Sequence, residues 1–116
     1  MHHENALVTI KVADMDRAIA FYVEKLGLTL MANYGGRWAE VQAPGLVIGL
    51  HPAEAGGASG ASHLSIGFGI VAFDDAVAEL RRNGVTVDVE QDGPYRLAHF
   101  SDPDGTPLYL AEAKKG

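Results

Sequence analysis

The side chains able to do chemistry are few: histidines at 51, 63 and 99, a Trp38–Glu40 pair, and tyrosines at 95 and 109. Glu40, His63, His99 and Tyr109 are of types that move a proton if a substrate comes within about 3 Å. No spacing pairs two of them as nucleophile and base, so the catalytic residues stay unknown. Trp38 and Glu40 are two apart and share one face of a strand. With Tyr95, His99 and Tyr109 they are candidates to line an aromatic cavity with a few polar groups, the usual form of a small-molecule site. The competing reading is that Trp38 and Tyr109 only fill space or pack a contact. There is no cysteine, which excludes disulfides, thiolate metal sites and a thiol nucleophile.

Composition narrows the partners. The formal net charge of the 116-residue chain is −6. Its only basic doublets are Arg81–Arg82 and Lys114–Lys115, which disfavours a phosphate-backbone partner. The acidity serves solubility, or attracts a cationic ligand. No apolar run approaches the roughly 20 residues of a membrane helix, and no signal-peptide pattern opens the chain. The expectation is a cytoplasmic protein with no nucleic-acid or membrane partner.

The positioning elements follow from periodicity. Residues 7–12 alternate, with Val8, Ile10 and Val12 on one face. Asp14 is a good N-cap for a helix carrying Ile19, Tyr22, Val23 and Leu26, which Gly27 would close. Residues 28–32, 37–42 and 46–51 read as strands. Residues 52–61, rich in Ala, Gly and Ser, read as a flexible linker. The pattern then returns: a strand over 63–70, a helix capped by Asp74 and closed by Gly84, and strands over 85–90, 95–100 and 107–111. Gly67 and Gly69 would leave room for a ligand or another backbone. Asp88, Glu90 and Asp92 form an acidic edge. Asp16 to Ile19 matches Asp74 to Val77 at an offset of about 58 residues, and Gly27 to Thr29 matches Gly84 to Thr86 at about 57, leaving a one-residue slip inside the helices. The expectation is one α+β domain over residues 1–116, with modules at about 5–51 and 62–113 joined by the linker 52–61.

Residues 12–22 with Leu26-Gly27-Leu28, and residues 100–107 (Phe-Ser-Asp-Pro-Asp-Gly-Thr-Pro), resemble the opening strand–helix and the final hairpin of the vicinal-oxygen-chelate proteins, the glyoxalase, bleomycin-resistance and extradiol-dioxygenase superfamily. The resemblance covers nearly the whole chain. It implies two βαβββ modules forming a cupped mixed sheet, and a homodimer. In metal-dependent relatives four cup-facing positions supply His or Glu. Here they fall on Leu7, Gly49, Ser65 and Tyr109, a poor set for a divalent ion, so no metal and no cofactor are expected. His51 and His63 lie two residues from lost positions, on the same strand faces. With His99 they are the fallback for a relocated metal. The ligand-binding candidates are Trp38, Glu40, His63, Ser65, Tyr95, His99 and Tyr109. The preferred reading is a metal-independent protein that binds a small organic molecule, in sequestration or drug resistance. The alternatives are a glyoxalase- or dioxygenase-like enzyme, or a structural dimer with a filled cup.

Overall fold

The α+β architecture is built twice from one plan. The computed structural model describes residues 2–61 and 63–113, in two units divided after Gly60. Ser62 and the Lys114–Lys115 doublet lie outside the described residues. In the first unit, β1 (Val8–Val12) leads to α1 (Met15–Ala20), a π-helical turn (Phe21–Lys25), β2 (Thr29–Asn33), β3 (Ala39–Ala43) and β4 (Leu46–Pro52). The sheet order is β1-β4-β3-β2, with β1 parallel to β4 and the other pairs antiparallel. In the second, β5 (Ile66–Ile70), α2 (Phe73–Arg82), β6 (Asp88–Asp92), β7 (Tyr95–Ser101) and β8 (Pro107–Glu112) take the order β5-β8-β7-β6.

Each helix covers one face of its own sheet. Alternation puts Ile10 and Val12 of β1, Ala39, Val41 and Ala43 of β3, and Ile48 and Leu50 of β4 into one core, which α1 and its extension seal with Met15, Ala18, Phe21 and Tyr22. Of the expected stripe, Tyr22 is buried and Ile19, Val23 and Leu26 are half-buried. In the second unit Phe73, Val77 and Leu80 of α2 close over Ile66, Ala98, Phe100, Leu108 and Leu110.

The helix ends explain the slip in the repeat. Asp14 caps α1 by accepting a hydrogen bond from the Arg17 amide at 3.0 Å. Leu26 N–H then reaches back five residues to Phe21 O at 3.0 Å. This wide turn absorbs one more residue than α2 carries between equivalent ends, and it buries Phe21 and Tyr22 side by side. Gly27 and Gly84 end the two helices at φ +82, a conformation that favours glycine. Asp74 does not cap α2, contrary to expectation. The helix starts earlier, with Ala72 at the cap and no side-chain bond there. That leaves Asp74 in the first turn, where its carboxylate pairs with Arg96 at 2.8 Å. Arg96 also binds Glu112 at 2.9 Å and lies 4.6 Å over the Phe73 ring, tying α2 to β7 and β8.

Three boundaries move. The third strand begins at Ala39, so Trp38 stands just before it. The strand expected over 63–70 begins only at Ile66, and the one expected over 85–90 runs from Asp88 to Asp92. The linker is tethered rather than free: Ala53 N–H bonds Val12 O at 2.8 Å, Gly57 N–H bonds Glu54 O at 2.7 Å, and Gly60 N–H bonds Lys11 O at 2.6 Å.

Candidate functional site

Most of the candidate side chains lie on the sheet faces turned away from the helices. In the first unit, register aligns Thr9, Gly49 and Glu40 across β1, β4 and β3, with Lys11 opposite His51 one step along. The β2–β3 turn delivers Trp38 to this face. Tyr34 N–H bonds Trp38 O at 2.8 Å, and Gly36 N–H bonds the Asn33 side chain at 3.1 Å. The indole folds back over Gly49, where a β-carbon would stand 2.6 Å from Cζ2 and closer still to Cη2. Its Nε1–H donates to Glu40 Oε2 at 2.8 Å, and the His51 ring meets it edgewise at 6.2 Å. Leu7, 39% exposed, borders the same seat, its Cδ1 being 3.2 Å from where that β-carbon would be.

In the second unit the equivalent row is Gly67, Tyr109, His99 and Asp88 across β5, β8, β7 and β6. The Tyr109 ring covers Gly67, so a β-carbon there would run into Cζ, Cε2 and Oη. The room expected at Gly67 is therefore taken by the protein itself, whereas Gly69 has nothing within 4 Å. His99 lies 6.3 Å from the Tyr109 ring, with Nε2 3.8 Å from Glu90 Oε2. Tyr95, 38% exposed, opens β7 on the side of His99.

The structure thus brings together Trp38 and Glu40, with His51 beside them, and separately Tyr109 and His99. It does not bring His63 or Ser65 to a strand face: both are exposed and precede β5. β5 pairs with β8 only from Ile66, opposite Leu108, so residues before it have no ladder. Sequence reasoning missed Gly49 as the seat of the indole. Its signal, a glycine inside a strand, was present but had no named partner. It also missed a groove of about 510 Å³ on the helix side of the second unit, lined by Asp74, Val77, Ala78, Arg81, Arg82 and Val89.

Electrostatics is concentrated elsewhere. The Glu112 carboxyl is held below the usual carboxylate range by its hydrogen bond from Arg96. Arg96 is in turn held above the usual guanidinium range, first by Glu112 and then by Asp74.

A divalent metal does not fit the four implied positions. Leu7 offers hydrocarbon, and Gly49 offers no atom and lies beneath an indole. Ser65 is exposed outside the sheet, and Tyr109 lays its ring on Gly67. His51 is occupied with Pro52 O, 2.9 Å from its Nδ1. Among the described residues of either unit, no three His, Asp or Glu side chains group as metal ligands. Likewise no described helix is long and apolar enough to cross a membrane.

The comparisons agree with the fold. The family model described as the Glyoxalase/Bleomycin resistance protein/Dioxygenase superfamily matches residues 6–110. The antibiotic-binding protein TnmS3 from Streptomyces sp. CB03234 has a TM-score of 0.75 at 30% identity, over 97% of this chain and 100% of that one. A glyoxalase/bleomycin resistance protein from the same organism gives 0.70 at 33% identity, over 94% and 100%. The genomically encoded fosfomycin resistance protein FosX of Listeria monocytogenes gives 0.76 over 100% and 95%, and at 18% identity it speaks to the fold alone. No curated protein matches the sequence. Two βαβββ units of one topology, the Phe100–Pro107 hairpin and a family match over nearly the whole chain lead to one conclusion: the protein belongs to the glyoxalase/bleomycin resistance/dioxygenase superfamily.

Proposed function

We propose that the protein binds a small organic ligand without a metal, as a sequestration or drug-resistance protein. The observation that carries this reading is the half-buried Trp38 indole, seated on Gly49 and hydrogen-bonded to Glu40. A flat aromatic surface beside a carboxylate suits an aromatic ligand with a polar rim. The 30% identical relative that binds an antibiotic supports it. His99 and Tyr109 are proposed to contribute from the second unit, Tyr95 from its edge, and His63 and Ser65 from the segment before β5. The chain is proposed to act as one cytoplasmic domain and as a homodimer.

A second reading has its own support. Tyr109 fills the space over Gly67, as expected of a scaffold whose faces are already packed. A thermal-shift screen with planar aromatic antibiotics, followed by titration monitored through Trp38 emission, separates the two. Stabilisation by a compound that also quenches Trp38 supports binding. No stabilisation across the panel favours the scaffold. Sedimentation at micromolar concentration checks the dimer, and a single species near the 12.3 kDa chain mass would overturn it.

A further inference from the structure

Gly49 is a glycine for the sake of space. It is buried, and it is not among the glycines with positive φ, so any residue could adopt its backbone conformation. What excludes a side chain is the Trp38 ring lying where the β-carbon would be. The indole is fixed on two further sides. Glu40 accepts from Nε1 at 2.8 Å, and His51 meets the ring edgewise at 6.2 Å. Glu40 is also the cross-strand partner of Gly49, so its carboxylate rises beside the seat. Its Oε2 is spent on the indole. Its Oε1 has no hydrogen-bond partner among the described residues.

We propose that Gly49 and Glu40 together set the specificity of this face: Gly49 seats the indole as a stacking surface, and Glu40 holds it and offers its remaining oxygen to an N–H donor on the rim of a flat ring. The ligand class is a planar aromatic bearing amino groups. An anionic ring of the same size is rejected by the carboxylate. The geometry carries a corollary. A side chain at position 49 and a seated Trp38 exclude each other, so the aromatic platform replaces any ligating residue at that strand position. The inference rests on the small-molecule reading above.

The seating is tested without ligand. Gly49→Ala should shift Trp38 emission to the red, raise its quenching by acrylamide and lower the melting temperature. In a Trp38→Ala background the same change should cost much less. Equal cost in both backgrounds, with emission unmoved, would overturn the seating. The ligand class is tested with proflavine and with anthracenecarboxylate. Proflavine should quench Trp38 and bind at least about tenfold more tightly than the carboxylate, as a charge-assisted hydrogen bond to Glu40 implies. Glu40→Gln should abolish most of that preference while the protein still folds. A preference unchanged by Glu40→Gln overturns the role of Glu40. If the coupling between positions 38 and 49 holds but neither ring binds, the seating stands, and the ligand class falls with the binding reading.

Discussion

The phenol ring of Tyr109 lies across Gly67, its directly registered partner on the neighbouring parallel strand. Gly69, two residues along the same strand, has nothing within 4 Å of where its β-carbon would be. The two glycines therefore make a matched pair. Gly67→Ala should destabilise by about 1–3 kcal/mol, because the ring must leave its position. Gly69→Ala should be neutral or stabilise by up to about 1 kcal/mol, through a less flexible unfolded chain. Urea denaturation of both variants decides it, and equal effects would show that Tyr109 does not rest on Gly67.

The last turn depends on one buried carboxylate. Asp102, 5% exposed, accepts from the amides of Asp104 at 2.9 Å and Thr106 at 2.8 Å. Thr106 is fully buried, and its hydroxyl accepts from Ala61 N–H at 3.1 Å. Asp102→Ala leaves the Thr106 amide without that acceptor and should cost about 3 kcal/mol. Asp102→Asn keeps a side-chain oxygen and should cost about 1 kcal/mol. Thermal melts giving the same loss for both would mean that the carboxylate is not the anchor.

Acid should weaken the clamp on α2. Arg96 lowers the Glu112 carboxyl below its ordinary value of 4.5, so the folded state favours its ionised form. That contribution is fully present above the unfolded value and is lost as pH falls through the folded one. The guanidinium, held above its usual range, stays charged throughout. Stability measured by urea at descending pH below about 4.5 should therefore fall less steeply in Glu112→Gln than in the parent, relative to each protein at pH 7. Identical slopes would remove the pair as a source of the acid response.

Metal content is the most direct check on the metal-free reading proposed above. Protein purified without chelators should carry no stoichiometric zinc, nickel, manganese or iron, and added EDTA should leave its melting temperature unchanged. One equivalent of metal would reverse the reading. Alanine substitutions at His51, His63 and His99 would then identify the ligands.

What was legible in the sequence had a local cause. Val8, Ile10 and Val12 announce their face by alternation, Asp14 its cap, and Gly27 and Gly84 the helix ends. Trp38 and Glu40 could be placed together because two residues suffice to share a face. What was not legible depends on partners distant in sequence. Residues 63–66 alternate like a strand, yet β8 begins only at Pro107 and its pairing with β5 leaves His63 and Ser65 without a partner. Asp74 reads as a cap, but the helix already begins at Phe73 and leaves its carboxylate to pair with Arg96 on β7. The indole on Gly49 needs both the β2–β3 turn and the β3–β4 register. The one-residue slip in the repeat was visible, but only the wide turn at Phe21–Lys25 shows where the extra residue went.

The tethered linker has a consequence for engineering. Its two ends are pinned to adjacent carbonyls of β1, Ala53 to Val12 and Gly60 to Lys11. Residues 54–59 form an excursion that starts and finishes at the same place on the sheet, with one internal turn bond from Gly57 to Glu54. Chain added between Gly57 and Ala58 enters a loop that is already closed, so its entropic cost grows only slowly with length. That point is a natural port for a reporter domain or for the new termini of a permuted chain. Moving the insertion two residues later, between Ser59 and Gly60, would place it directly against the Gly60 tether to Lys11.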